Sequence, residues 1–171
     1  MTLDLRIAAK ADAQAIADLV NRAYRPAPHA AGWTHESHLV AGERTSAGQV
    51  RALFQPRSVI LLLCSEANIV ACVHLQGDSS GASIGMLATD PELQAQGLGK
   101  RMLSHAENYA AERLGASLFR MSVLSSRPEL LAFYQRRGYV LTGEVEDYPL
   151  SAGVGRPRVA GIQVLSLMKT P

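Results

Sequence analysis

A glycine-containing loop between a β-rich run and a long helical segment is the feature that most constrains the fold of this chain. The loop is Gln94-Ala95-Gln96-Gly97-Leu98-Gly99. It follows an apolar run that ends at Thr89, and a helical pattern starts near Lys100. Glycines at the start of a helix let backbone N–H groups approach an anion closely, and the helix N-terminus carries partial positive charge. The pattern therefore predicts a strand–loop–helix unit that binds a phosphate or pyrophosphate.

Two other phosphate-binding loops do not fit this sequence. A Walker A loop requires Ser or Thr directly after its Lys to hold magnesium, whereas Arg101 follows Lys100 here. A dinucleotide-binding fingerprint requires a third glycine three residues after Gly99, where this chain has Met102. The loop is therefore assigned to neither of these two classes of nucleotide-binding protein.

Hydrophobic periodicity predicts that strands and helices follow one another along the whole chain. Asp12, Thr34 and Ser46 are candidate helix N-caps, and Gly115 and Gly138 are candidate left-handed helix ends. Strands are predicted over 5–8, 58–64, 69–75, 82–89, 118–124, 139–145 and 161–167. Helices are predicted over 12–24, 34–40, 46–54, 100–114 and 128–137, and a loop over 151–158. Because the two kinds of element share one continuous pattern, the sequence predicts an α/β fold with one mixed sheet.

Two stretches of the sequence resemble the GNAT acetyltransferase family. The loop at 94–99 resembles its acyl-CoA-binding signature, (Arg/Gln)-x-x-Gly-x-(Gly/Ala). The stretch from Pro128 to Tyr139 resembles its helix that carries a Tyr and ends in Gly-Phe or Gly-Tyr. The predicted order of elements also matches that of the family. The resemblance implies one domain over residues 1–171, with a single mixed, mostly antiparallel sheet flanked by helices.

The resemblance also implies an N-acetyltransferase with acetyl-CoA as co-substrate. The amine would attack the thioester directly, with both substrates bound together. Amides from Ala95 to Lys100 would bind the pyrophosphate, and the strand end before Asp90 would hold the pantetheine arm. For Arg127 the alternative is a surface salt bridge. The complete set of predicted acetyl-CoA contacts is Leu87, Ala88, Thr89, Gln94, Ala95, Gln96, Gly97, Leu98, Gly99, Lys100, Arg101 and Arg127.

Tyr134 and Glu36 are the candidate catalytic residues. Tyr134 matches the tyrosine that lies near the CoA sulfur in many members of the family, where a phenol can donate a proton to the departing thiolate. The alternative is a core aromatic residue. The family often has Asn seven residues before this Tyr, where this chain has Arg127. Glu36 is the favoured general base because it lies in the segment expected to contact the acceptor. Further candidates are His38, Glu43 and His74, and an enzyme without a dedicated base remains an alternative.

Composition excludes several other classes of function. The net charge of +2 and the scattered basic residues argue against nucleic-acid binding. No apolar run is long enough for a secretory leader or a membrane span, so a cytoplasmic protein is expected. Cys64 and Cys72 are expected to be buried thiols, and no His/Cys spacing predicts a metal site.

The partner of this chain is predicted only in general terms. The acceptor would be a small-molecule or peptide amine, and the family often pairs through its last strands, which makes a homodimer an expectation. A non-catalytic acyl-CoA-binding regulatory module is the rival hypothesis. Such a module would keep the loop at 94–99 but would not need Tyr134.

Overall fold

The structure is a computed structural model that describes residues 2–26 and 35–171. In the described part of the chain, seven strands form one sheet in the order β1-β3-β4-β5-β6-β9-β7, and β2 and β8 form a separate two-stranded pair. All neighbouring strands are antiparallel except β5 and β6. The strands are β1 (Asp4–Ile7), β2 (Val40–Ala41), β3 (Ser58–Ser65), β4 (Asn68–Asp78), β5 (Gly81–Thr89), β6 (Phe119–Leu124), β7 (Val140–Asp147), β8 (Arg156–Pro157) and β9 (Gln163–Lys169). This is the mixed, mostly antiparallel sheet that the sequence predicted.

Helices cover both faces of the sheet. They are α1 (Ala13–Tyr24), α2 (Ala47–Ala52), α3 (Leu98–Arg113) and α4 (Pro128–Gln135). Residues of β3 alternate between the faces: Ile60 and Leu62 pack with α1 and α2, whereas Leu61 and Leu63 pack in the cluster that contains α3. Burial of these side chains on both faces explains why β3 reads as a continuous apolar run.

The parallel strands β5 and β6 pair only at one end. Ala82 pairs with Phe119 and Ser83 pairs with Arg120, and the register continues no further. The pairing of β5 with β4 is also irregular beyond Gly85, because Met86 adopts a positive φ of 52° and shifts the register. Strands β5 and β6 therefore diverge, and the gap between them is the structural basis of the site described below.

Most predicted elements are confirmed within one or two residues. The Ser46 hydroxyl caps α2 by accepting from the Gln49 amide, as predicted. Gly115 and Gly138 both have a positive φ at the ends of α3 and α4. Cys64 and Cys72 are buried and free, also as predicted.

Three predictions differ from the structure. Residues 36–39 form a turn and Val40 begins β2, so the helix predicted to end at Val40 is wrong, and Thr34 lies outside the described residues. The Asp12 carboxylate binds Arg6 and the Ala9 amide and does not cap α1. Part of the loop predicted over 151–158 is β8, which pairs with β2. No helix in the described ranges is long and apolar enough to cross a membrane.

Candidate active site

A cleft of about 360 Å³ lies where β5 ends and α3 begins. It brings together the end of β5, the glycine loop and one face of α4. Its lining residues are Ala23, Tyr24, Leu87, Ala88, Thr89, Gln94, Ala95, Gly97, Leu98, Gly99, Lys100, Arg127, Leu130, Phe133, Tyr134 and Arg137. Ten of the twelve predicted acetyl-CoA contacts line this cleft. The other two, Gln96 and Arg101, are exposed beside it.

The glycine loop presents the N-terminus of α3 to this cleft. Gly97 is the N-cap residue with a φ of 81°, and no side chain caps the helix. Ala95 also has a positive φ of 64°, which is uncommon for a residue with a Cβ. A Cβ at Gly97 would meet no atom within 4 Å, so the space in front of the first helical amides is open. These amides and the helix dipole together favour an anion in this cleft.

The end of β5 supplies backbone groups to the same cleft. The hydroxyl of Tyr24, the last residue of α1, donates to the carbonyl oxygen of Leu87 at 2.9 Å. Next to it, the register shift at Met86 interrupts the pairing of β5 with β4. Because β6 has also diverged here, an extended amide-containing ligand could pair with this strand edge.

Tyr134 lies at the inner end of the cleft, on α4. Its side chain is 6% exposed, and its ring packs edge-to-face against Phe133 and Tyr139. Burial raises the pKa of the Tyr134 phenol, and the neighbouring Tyr24 phenol raises it further. The hydroxyl is therefore held in its protonated form, in which it can donate a hydrogen bond.

A second cleft, of about 590 Å³, opens on the other side of Tyr134. It shares five lining residues with the first cleft: Tyr24, Leu87, Arg127, Leu130 and Tyr134. Its remaining lining is more polar and comes from the segment after α1, from strands β4, β5, β6, β7 and β9, and from the loop after β7. The two clefts therefore meet at the divergent ends of β5 and β6, where a ligand in one could react with a ligand in the other.

Glu36 is buried beneath this junction between two arginines. It is 3% exposed, and one carboxylate oxygen lies 2.6 Å from Nη2 of Arg25. Its other oxygen lies 3.4 Å from Nη1 of Arg127. Arg127 is also buried and pairs with Glu129 at 3.4 Å, so the alternative of a surface salt bridge for this arginine is wrong. The carboxylate of Glu36 joins the end of α1 to the start of α4.

His74 lines the second cleft, as Glu36 does, and it forms one side-chain hydrogen bond among the described residues. Its Nε2 lies 2.8 Å from the hydroxyl oxygen of Ser58, and that hydroxyl donates its own proton to the Leu53 carbonyl. Ser58 must therefore accept from Nε2–H, which leaves Nδ1 of the neutral ring as the proton acceptor. Burial lowers the pKa of His74 and favours this neutral form. The other two candidates, His38 and Glu43, are exposed and line neither cleft.

Several lining residues were not predicted from the sequence. Leu130, Phe133 and Tyr134 lie on one face of α4, and Arg137 continues their helical spacing into the turn that follows, a signal that would have identified the other three from Tyr134. Arg137 lies over the Phe133 ring at 3.6 Å and brings a cation to the first cleft. Tyr24 carried no local signal, because its role depends on a contact with β5. The described residues contain no cluster of three His, Cys, Asp or Glu side chains that could hold a metal ion.

Comparisons with known proteins agree with the observed fold. A model of the acetyltransferase (GNAT) family matches residues 13–139. A sequence comparison with curated proteins gives no match. Among solved structures, the ribosomal-protein-S18-alanine N-acetyltransferase from Escherichia coli is 18% identical with a TM-score of 0.72, over 99% of this chain and 94% of that chain.

Two further solved structures share the fold. The PaiA N-acetyltransferase from Thermoplasma acidophilum, crystallised with coenzyme A, is 16% identical with a TM-score of 0.68, over all of both chains. A spermidine N-acetyltransferase chimera from Vibrio cholerae and hSSAT is 15% identical with a TM-score of 0.67, over 99% of this chain and 96% of that chain. At these identities the likeness establishes the fold.

Proposed function

The chain belongs to the acetyltransferase (GNAT) family, and from this premise we propose that it transfers an acetyl group from acetyl-CoA to a primary amine while both substrates are bound. The observation that carries the proposal is the pair of clefts that meet at Tyr134. One has the helix N-terminus and strand edge that acetyl-CoA requires, and the other is open to a second substrate.

The first cleft fits acetyl-CoA by the chemistry of its lining. The amides at the start of α3 would bind the pyrophosphate, with Lys100 and Arg137 adding positive charge. The edge of β5 from Leu87 to Thr89 would pair with the amides of the pantetheine arm. A backbone N–H near Leu87 would stabilise the charge that develops on the thioester oxygen. Gln94 lines the cleft, whereas Gln96 and Arg101 are exposed beside it and would contact the nucleotide only at the rim of the cleft.

Tyr134 would protonate the departing sulfur. As the nitrogen–carbon bond forms and the carbon–sulfur bond breaks, the electron pair of that bond goes to sulfur, and the phenol supplies the proton that makes CoA a thiol. Water then returns a proton to the phenolate, and the proton lost by the amine leaves to water through the base. Its raised pKa keeps the phenol protonated at neutral pH. Because the backbone near Leu87 would bind the thioester oxygen and Tyr134 would protonate the sulfur, the thioester would lie between these two residues, both of which line both clefts.

The proton lost by the amine requires an acceptor, and the two candidates differ in their surroundings. Glu36, the base favoured from the sequence, accepts hydrogen bonds from Arg25 and Arg127 and is almost fully buried, which favours a role in positioning Arg127. His74 lines the same cleft as Glu36, but its hydrogen bond through Nε2 to Ser58 leaves Nδ1 as the proton acceptor. We therefore propose His74 as the group that receives the amine proton, directly or through water.

The test is an assay of thiol release from acetyl-CoA with a broad panel of primary amines, followed by mass spectrometry of the products. At least one amine should gain the mass of an acetyl group in proportion to the CoA released. Binding of acetyl-CoA without turnover of any amine in the panel would contradict catalysis and favour a regulatory module.

The same proposal covers the domain organisation, the cellular location and the oligomeric state of the protein. Residues 1–171 would act as one domain in the cytoplasm, without nucleic acid, membrane or metal. Strand β7 supports a homodimer, because it lies at the edge of the sheet with its whole length exposed. Its apolar residues Val140, Leu141 and Val145 are 54%, 47% and 48% exposed, which suits a surface that a second copy covers.

A further inference from the structure

Arg44 is a cation at the acceptor cleft that the roles above do not use. Its side chain lines the second cleft, and its Cζ lies 5.4 Å from the centroid of the Tyr24 ring. The hydroxyl of the same ring binds the Leu87 carbonyl at the junction of the two clefts. The guanidinium therefore lies beside the route by which an acceptor would reach the thioester.

The backbone around Arg44 is fixed to α1. The side-chain oxygen of Asn21 accepts from the amide of Arg44 at 2.9 Å and from the amide of Thr45 at 3.0 Å. The side-chain nitrogen of Asn21 donates to the Thr45 carbonyl at 3.0 Å. These three hydrogen bonds and the contact with Tyr24 hold the arginine in place before a ligand arrives, which lowers the entropic cost of binding.

No carboxylate neutralises Arg44. Within residues 2–26 and 35–171 it forms no ion pair, and residues 27–34 contain no Asp or Glu. The other arginines of this cleft are paired: Arg25 and Arg127 with Glu36, and Arg120 with Asp78 at 2.5 Å.

Glu144 is the remaining carboxylate of this cleft, and it lies far across the sheet. It is on β7, which is three strands away from β5. At a strand spacing of about 4.8 Å, three strands span roughly 14 Å. The side of the cleft next to Tyr24 therefore carries an unneutralised positive charge.

We infer that Arg44 forms a subsite for an anionic group of the acceptor, and that the acceptor is an amine that also carries a carboxylate or a phosphonate. This inference rests on the proposed function, and it names the class of acceptor. The planar guanidinium can bind such a group through two parallel hydrogen bonds. A polycationic amine would be repelled by the same charge. The acceptor would therefore enter with its anionic group on Arg44 and its amine toward Leu87.

The test compares acceptors that differ only in the anionic group. Glycine, β-alanine, 4-aminobutyrate and the common L-amino acids are assayed against their carboxamides, with 2-aminoethylphosphonate and spermidine as further probes. Amines that carry a carboxylate or the phosphonate should be better substrates than the carboxamides, and spermidine should be a poor substrate. In Arg44→Gln, KM for the preferred anionic acceptor should rise about tenfold or more, while KM for its carboxamide should change less than about twofold. A preference for the carboxylates over the phosphonate would identify the carboxylate as the group that Arg44 binds, and the reverse preference would identify the phosphonate.

The matched control is Arg51→Gln, which removes one positive charge from the exposed surface of α2 and lines neither cleft. It should leave both KM values unchanged. Turnover of carboxamides as efficient as that of carboxylates would overturn the inference and leave the proposed function intact. If no amine is acetylated, the proposed function fails. Calorimetric binding of the same amino acids to wild type and Arg44→Gln in the presence of CoA then decides the subsite, and equal affinities overturn it.

Discussion

Tyr134 is buried yet borders both clefts, and these two facts together define the chemistry of its hydroxyl. Burial disfavours ionisation of the phenol and raises its pKa, so the hydroxyl stays protonated and can donate a hydrogen bond. Transfer of its proton therefore depends on the negative charge that develops on the departing sulfur. The rings of Phe133 and Tyr139 restrict its orientation from two sides. A tyrosine whose only role was packing in the core would not need to line both clefts.

Tyr134→Phe should therefore lower kcat without weakening acetyl-CoA binding. The ring and its packing are kept, and only the proton donor is lost, so kcat should fall about a hundredfold or more. Steady-state kinetics with the best amine and a direct titration with acetyl-CoA measure the two effects. Tyr109→Phe, on the far part of α3, is the matched control and should retain activity. Full activity in Tyr134→Phe would exclude the proton-donor role.

His74 should set the acidic limb of the pH profile. Burial lowers its pKa below the ordinary value of about 6.5, so the ring is neutral above that pKa and can accept a proton. As the pH falls through the lowered pKa, the ring becomes protonated and kcat should fall. A kcat–pH profile for wild type should show this limb below pH ~6.5, and His74→Gln should lose the limb together with most of the activity.

Glu36→Gln is the contrasting variant, because the two candidate bases predict different results. If Glu36 positions Arg127, the substitution removes the buried carboxylate that Arg25 and Arg127 share, leaving Arg25 unpaired and Arg127 with Glu129 alone, and should destabilise the fold by about 3 kcal/mol. Denaturant unfolding measures that loss, and the acidic limb of His74 should persist in the variant. If the acidic limb of the kcat–pH profile disappears in Glu36→Gln and survives in His74→Gln, the base is Glu36 and not His74.

The loop and helix proposed to bind the pyrophosphate form one structural unit. Gly97 lies in the left-handed region, and the first turn of α3 follows it without a side-chain cap, so the bound anion would complete the helix terminus. Gly97→Glu should reduce acetyl-CoA affinity by at least about tenfold, because the carboxylate occupies open space where the phosphates should bind. Isothermal titration calorimetry measures the affinity.

Gly97→Gln separates charge from backbone strain in that experiment. Both substitutions place a side chain of the same size at a φ of 81° and share the cost of that conformation. Gln should therefore bind acetyl-CoA more tightly than Glu, with a difference that shrinks at high salt. Unchanged affinity in Gly97→Glu would mean that the pyrophosphate binds elsewhere.

At the level of elements, local sequence signals identified the long helices and strands but not their tertiary relations. The periodicity of α3 and the β-rich runs of β3 and β4 are strong patterns within one segment, and these elements were predicted within a few residues. Strands β2 and β8 have two residues each and exist because they pair across the chain, so no local pattern could reveal them. The first cleft was predictable because its loop has a sequence signature. The second cleft was not, since Glu36, Arg44 and His74 come to line one cleft only through long-range packing.

At the scale of the whole molecule, the sheet ends asymmetrically. Strand β1 forms one edge with four residues, whereas β7 forms the other edge with eight exposed residues, several of them apolar. A long edge strand with apolar side chains offers both hydrogen-bonding groups and hydrophobic surface to a second chain. The second cleft reaches β7 through Thr142 and Glu144, so a partner on this strand would also border the acceptor site.

This asymmetry predicts a dimer that two charges can break. Val140→Lys/Val145→Lys places cations on the exposed apolar surface of β7, and like charges from two copies would then face each other. Light scattering coupled to size-exclusion chromatography should report a dimer for wild type and a monomer for this variant. Leu150→Lys changes a residue that is 70% exposed outside β7 and should remain dimeric. A wild-type monomer at all concentrations would exclude the interface. A dimer that survives the two lysines would place the interface elsewhere, because burial of unpaired lysines costs more than the exposed valines contribute.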